Sequence, residues 1–168
     1  MTDSISLQVL ADRQAITEMI YRYCRAVDRI DRELGYSVWH DDGLADYGAY
    51  YQGSGRGVID LICANHEQLQ CHSHQVSNIL IQLEGDRASS EAYVTANLRI
   101  ARDGNIKQMT VLSRYVDTWS RRNGRWAIDK RIAIRDFDEI RDVTPMSQPA
   151  EGSRDRNDPS YAVLKHFR

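Results

Sequence analysis

Apolar residues recur at helical spacing over the first thirty positions, with Ile16, Ile20 and Cys24 on one line and Met19, Tyr23 and Val27 on the next. Such a stripe is what an amphipathic helix buries, and it predicts a helix over residues 6–27. Four residues beyond Cys24 the stripe reaches a carboxylate, Asp28. Burial and the negative end of the helix dipole both penalise an anion there, which is poor for stability and useful in a general base. The alternative puts Asp28 just past the helix end, in solvent, where it begins a turn.

A charged stretch then leads to Gly35, followed by a short helical turn over 36–40 and a turn-like cluster, Trp39-His40-Asp41-Asp42-Gly43. The aromatic run over 45–51 is bounded by glycines and reads as a strand. Gly53-Ser54-Gly55-Arg56-Gly57 is a glycine-punctuated turn without the context of a phosphate loop. Val58, Ile59, Ile62, Cys63, His66 and Leu69 mark another amphipathic helix, in which His66 reads as a partly buried structural histidine.

From residue 72 the period changes to two. His72, His74, Val76, Asn78 and Leu80 fall on one face, and Ser73, Gln75, Ser77, Ile79 and Ile81 on the other. Turn signals at Gly85-Asp86, Asp103-Gly104 and Asn123-Gly124 divide the second half of the chain into strands over 72–83, 89–100, 107–121 and 125–136. Val111, Ser113, Tyr115, Asp117 and Trp119 share a face of the third strand, and Trp126, Ile128, Lys130, Ile132 and Ile134 a face of the fourth. Helices followed by an antiparallel meander predict an α+β fold whose helices cover one face of the sheet. One domain over 1–137 is expected, with 138–168 an irregular extension of it. Tyr161, Val163, Leu164 and Phe167 give that extension apolar surface to dock on the body or on a neighbouring subunit.

Composition narrows the partners. Lys plus Arg number 22 and Asp plus Glu 24, and no basic stripe occurs, so nucleic acid is not an expected partner. No apolar run is long enough to span a bilayer and nothing at the start reads as a leader, so a cytoplasmic protein without membrane contact is expected. Cys24, Cys63 and Cys71 are odd in number and form no CxxC, which fits free thiols in a reducing compartment. Apolar Ile79, Ile81 and Leu83 on the uncovered face of the sheet predict self-association, as a dimer or trimer.

Candidate chemistry is sparse. His72 and His74 could join Asp28 or His66 around a metal, but the tight ligand set of a zinc or iron site is missing, so no metal is expected. Nucleophile elbows, Cys-His signatures and dinucleotide fingerprints are absent, and no cofactor is expected. Proton transfer by side chains remains. If the His74 face is the covered one, His74 reaches the interior that Asp28 reaches. A carboxylate on the imidazole would fix its tautomer and support the imidazolium formed in general base catalysis, which is worth about 10²–10⁴-fold. Val76, Asn78, Ser113, Tyr115, Lys130 and Ile132, with Trp39, Tyr47 and Tyr51 at one end, would line a mainly apolar pocket for a small aromatic ligand, or equally a core with satisfied polar groups.

Tyr23-Cys24-Arg25-Ala26-Val27-Asp28-Arg29-Ile30-Asp31, Trp39-His40-Asp41-Asp42, Asp46-Tyr47-Gly48, the run from His72 to Ile81, Arg114-Tyr115-Val116-Asp117-Thr118-Trp119 and Asn123-Gly124-Arg125-Trp126 together resemble the SnoaL-like branch of the NTF2-like superfamily. The resemblance covers roughly residues 7–137. It implies a cone in which N-terminal helices pack on a curved, mainly antiparallel sheet around a pocket. The dehydratases and dehydrochlorinases of that superfamily use an Asp at the end of the first helix and a His on the strand after the third, positions that Asp28 and His74 occupy. Tyr47 resembles the substrate-orienting tyrosine of the dehydratases. Ser113 matches the serine of their Ser-x-Asn, and Tyr115 stands where the asparagine would be. The resemblance implies a cofactor-independent lyase or isomerase of dehydratase, dehydrohalogenase or C–C lyase type, acting on a small aromatic or polycyclic substrate. The alternative is a non-catalytic ligand-binding or assembly protein accessory to an aromatic-degradation enzyme.

Overall fold

The first helix, α1, runs over Leu7–Arg29 in the computed structural model, which describes residues 6–102 and 104–165. The Ser6 hydroxyl caps it by accepting from the Val9 N–H at 3.3 Å. Its stripe of Ile16, Ile20, Tyr23, Cys24 and Val27 is buried. The helix stops at Ile30, whose φ of +54° turns the chain, and both the Ile30 and Asp31 N–H groups converge on the Ala26 carbonyl. The Val27 carbonyl thereby loses its helical partner, and side chains from elsewhere take it up.

The short helix α2, Arg32–Ser37, is capped by the Asp31 carboxylate. It begins before the turn expected over 36–40. Trp39-His40-Asp41-Asp42-Gly43 does not form a turn but opens strand β1, Trp39–Asp46, while Tyr47 to Tyr51 form the turn into β2, Gln52–Ser54. The reason is Trp39, which is buried and pulls the strand start into the core despite the polar residues after it. Helix α3, Gly55–Glu67, starts under the Ser54 cap, and at Gly55 a Cβ would run into the Trp39 indole.

Four long strands complete the sheet: β3 Cys71–Glu84, β4 Arg87–Arg102, β5 Asn105–Arg122 and β6 Arg125–Asp142. The sheet order is β2-β1-β6-β5-β4-β3, antiparallel except for β1 beside β6. Asn123 and Gly124, both at positive φ, make the β5–β6 hairpin turn. The helices cover one face, and rows of inward side chains step across the strands. Leu83, Ala88, Trp119 and Ile128 form one row near the closed end, and His74, Ala96 and Val111 one near the open end.

Bulges reset the alternation in two strands. In β3 an extra residue between Ser77 and Leu80, with Asn78 at φ +49°, reverses the faces. Ile79, Ile81 and Leu83 therefore pack against the core, and it is Leu80 that is exposed. The expectation of self-association through Ile79, Ile81 and Leu83 fails on this point. The outer face instead shows Leu80, Tyr93, Ile132 and Phe137. In β6 the register shifts opposite Thr118/Trp119 and again opposite Leu112/Ser113. The first shift buries Arg131 and turns Lys130 and Ile132 outward, contrary to the alternation read from the sequence.

Strand β6 extends to Asp142, beyond the point where periodicity was expected to end. The chain after it is irregular except for α4, Ser160–Val163. Tyr161 docks it by donating to Asp31 Oδ2 at 2.9 Å, Val163 and Leu164 are exposed, and Phe167 lies outside the described residues. Among the described residues no helix is long and apolar enough to cross a membrane, and all three cysteines are free.

Candidate active site

Helix α1 delivers Asp28 in its last turn, and β3 delivers His74 opposite it. Asp28 Oδ1 accepts from His74 Nδ1 at 2.7 Å, and Oδ2 accepts from the His74 backbone N–H at 3.1 Å. As β3 is an edge strand, that N–H would otherwise lack a partner. Two bonds from one carboxylate fix both the backbone and the ring. An ionised carboxylate only accepts, so His74 Nδ1 carries a proton, and in the neutral ring Nε2 is the nitrogen with the free lone pair. The side chains retain 9% and 16% of their exposure, enough to meet a ligand and little enough to exclude bulk water.

His74 lines a cavity of about 330 Å³, a size suited to a small molecule. Leu98, Ile100, Met109, Val111 and Ile134 make its walls apolar, and Tyr23, Tyr47, Tyr115, Ser113, His66 and Asn65 supply polar atoms. The Tyr23 and Tyr47 hydroxyls lie 2.6 Å apart, so one donates to the other and one proton of the pair stays free. The Ser113 hydroxyl donates to the Val94 carbonyl at 3.3 Å. At the rim, Asn65 Nδ2 donates to the Tyr50 hydroxyl at 2.7 Å.

Beneath the tyrosines sits Arg131, fully buried. Its Nε and Nη2 donate to the two oxygens of Asp117 at 2.8 and 2.7 Å, while Nη1 is buried without a hydrogen-bond partner. The guanidinium lies 3.9 Å from the centre of the Tyr115 ring and 4.2 Å from that of Tyr23. Burial works against this cation, but Asp117 and the tyrosine hydroxyls outweigh it and hold the pKa well above the usual arginine value. Burial likewise raises the pKa values of Tyr23, Tyr115 and Tyr47, so all three are neutral donors rather than bases.

Two more imidazoles adjoin His74. His66 Nδ1 and His72 Nε2 both bond the Val27 carbonyl freed at the helix end, at 3.2 and 3.0 Å. Their ring centres are 4.1 Å apart, and His66 lies 5.5 Å from His74. Burial, followed by the neighbouring His72, pushes the His66 pKa down to about 4, and burial also lowers that of His72. Among the described residues no three His, Cys, Asp or Glu side chains converge as metal ligands. Burial pushes the Cys24 thiol up to about 12, which leaves it inert at neutral pH.

The predicted site residues divide cleanly. Asp28 and His74 meet, and Tyr47, Ser113 and Tyr115 line the cavity with His74. Val76 faces a separate crevice beside Tyr21, Cys24, Arg25 and Arg29 that reaches the other side of the Asp28–His74 pair. Trp39 is a core residue edge-on to Tyr23, and Tyr51 turns its hydroxyl to the Ser54 carbonyl. Asn78 sits exposed on the bulge, and Lys130 and Ile132 are on the outer face. Tyr23, Asn65 and Arg131 were not anticipated as site residues, and His66 was weighed only as a structural histidine or a metal ligand. Tyr23 and His66 stood on the helical stripes and could have been found there. Arg131 could not, because a bulge sets its facing.

A larger groove of about 830 Å³ lies toward the β5–β6 hairpin, where Arg121 pairs with Asp86 and Arg122 with Asp42 and Asp129. The SnoaL-like domain family profile matches residues 8–132. A type 2 hexachlorocyclohexane dehydrochlorinase superposes with a TM-score of 0.73 at 17% identity, over 87% of this chain and 98% of its own. A protein of Novosphingobium aromaticivorans, provisionally assigned as a scytalone dehydratase, gives 0.69 at 20% identity, over 84% and 97%. The Kfla4162 protein of Kribbella flavida gives 0.69 at 18% identity, over 77% and 94%. These likenesses speak for the fold. No curated protein shows a significant sequence match.

Proposed function

The chain belongs to the SnoaL-like domain family, with the NTF2-like cone-shaped α+β fold, and from that premise we propose that it is a cofactor-independent lyase or isomerase acting on a small aromatic or polycyclic substrate. The observation that carries this is His74 on the wall of an apolar cavity, held by two bonds to Asp28 behind it. His74 Nε2 takes a proton from carbon or from a hydroxyl, and Asp28 stabilises the imidazolium through Nδ1–H. The electron pair released forms a double bond as a leaving group departs, or migrates within the substrate. The free phenolic proton of the Tyr23–Tyr47 pair, with Arg131 behind the rings, stabilises oxygen or another leaving atom as it gains charge. Structural neighbours named as a dehydrochlorinase and as a dehydratase support elimination as the reaction class.

A purely ligand-binding protein would have no need of an Asp–His pair inside its cavity, and the 2.7 Å contact favours catalysis over that alternative. The free thiols fit a cytoplasmic setting, and Leu80, Tyr93, Ile132 and Phe137 on the outer face fit a homo-oligomer. Aromatic and alicyclic alcohols and halides, incubated without added cofactor and followed by mass change, test the assignment. Asp28→Asn and His74→Ala should each reduce turnover by at least about 100-fold while leaving the circular dichroism spectrum unchanged. Near-normal turnover by either variant overturns it.

A further inference from the structure

His66 has no role in the proton transfer described above, yet it shares the cavity wall with His74. Its tautomer is set by the backbone. A carbonyl oxygen can only accept, so the 3.2 Å bond to Val27 requires the proton on His66 Nδ1. His72 meets the same carbonyl through Nε2 at 3.0 Å, using its second lone pair. With Nδ1 turned to α1, the ring nitrogen left over is His66 Nε2, a bare acceptor on a side chain that lines the cavity. Protonation would place a cation against the rings of His72 and His74, with Asp28 the near neighbour that offsets it, and burial opposes it further. The acceptor is therefore permanent at neutral pH.

We propose that His66 is a specificity-determining residue whose Nε2 accepts a hydrogen bond from a hydroxyl on the ligand, so that the site takes hydroxylated aromatic or polycyclic molecules in preference to their ethers or parent hydrocarbons. This rests on the cavity being the substrate site and adds the substrate class. The two imidazoles divide the work: His74 removes the reacting proton, and His66, 5.5 Å away between ring centres, reads a neighbouring O–H. An ether in that position would leave a desolvated lone pair facing an oxygen.

Binding of 2-naphthol, 2-methoxynaphthalene and naphthalene to the full chain, by calorimetry or fluorescence, tests this. The naphthol is expected to bind about tenfold tighter than its methyl ether. In His66→Asn, whose side-chain amide can still donate to the Val27 carbonyl, that preference should collapse to about unity. Long-range 15N NMR of the wild-type imidazoles supplies a second readout and should find His66 protonated at Nδ1 only, with the Nε2 signal shifting on addition of naphthol. Equal binding of naphthol and ether, no binding of any probe, a preference that survives His66→Asn, or a proton on Nε2 each overturn the proposal. Asp28→Asn should retain the naphthol preference, so failure of the catalytic pair and failure of the hydroxyl reader are separate results.

Discussion

The buried Arg131–Asp117 pair offers a sharp test of how the cavity floor is built. Both side chains are completely removed from solvent and share two short hydrogen bonds, while Tyr115 and Tyr23 stack on the guanidinium. Asp117→Asn keeps the shape, removes the countercharge and turns an amide N–H toward guanidinium N–H groups. Breaking one side of such a pair costs about 3–5 kcal/mol, because the remaining charge is left uncompensated. Against a total stability of about 5–15 kcal/mol this is a large fraction. With a urea slope of about 2 kcal/mol/M, the unfolding midpoint should fall by about 1.5–2.5 M. Replacing both partners, Asp117→Leu with Arg131→Met, should recover much of the loss, since the desolvation cost disappears along with the attraction. A fall below about 0.5 M for Asp117→Asn would refute this account of the floor. So would a double variant as unstable as the single one.

Stability should also depend on acid through the histidine cluster. His66 has a folded-state pKa of about 4 against an ordinary 6.5, so the unfolded chain binds more protons between those values. The stabilisation is fully present above about pH 6.5 and is lost as pH falls toward 4, by about 3 kcal/mol, with His72 adding in the same direction. Urea titrations at several pH values check this, and His66→Asn should flatten the slope; an equally steep profile in the variant contradicts it. Gly55→Ala forces a methyl into the Trp39 indole and should cost about 1–3 kcal/mol, read as a lower Tm, whereas an unchanged Tm would mean that α3 shifts freely. Asn78→Gly should be tolerated at φ +49° and Asn78→Val should cost about 1–2 kcal/mol, so equal midpoints for the two would count against a bulge that must hold that backbone.

How much of the fold and site is legible in the chain depends on the physical signal each element carries. The stripe of α1 continues through Asp28 without interruption, so helical periodicity alone put that carboxylate at the edge of the core. His74 precedes the β3 bulge, so simple alternation placed it on the covered face. Beyond Asn78 the same rule assigns every side chain to the wrong face, because one inserted residue reverses a period of two. The hidden register shifts of β6 made Lys130 and Ile132 look like pocket residues and concealed Arg131, the charge on which the floor depends. Local sequence gives no warning there: Asp129-Lys130-Arg131 reads as a solvated stretch until the partner Asp117 is brought alongside.

The register shift that hides Arg131 bears on the function. A buried inward-facing charge needs a partner of opposite sign, and here the β6 bulge turns Arg131 inward to meet Asp117 of β5. Arg131 meets that condition beside the cavity, at the cost of an Nη1 left without a partner. A floor built only for stability would place an apolar residue there, as the row of Leu83, Ala88, Trp119 and Ile128 does. The retained cation lies against the rings of Tyr23 and Tyr115, neutral tyrosines that line the same cavity as His74. In the proposed reaction its positive field would strengthen those hydroxyls as donors to a departing or enolising atom, and the full burial of Arg131 keeps that field weakly screened. The proposed base and its proposed electrophilic support are thus separate groups, Asp28–His74 where α1 meets the edge strand and Tyr23–Tyr47 over Arg131. In the proposed reaction that separation lets His74 take the proton while a tyrosine hydroxyl supports the oxygen or leaving atom on which negative charge collects.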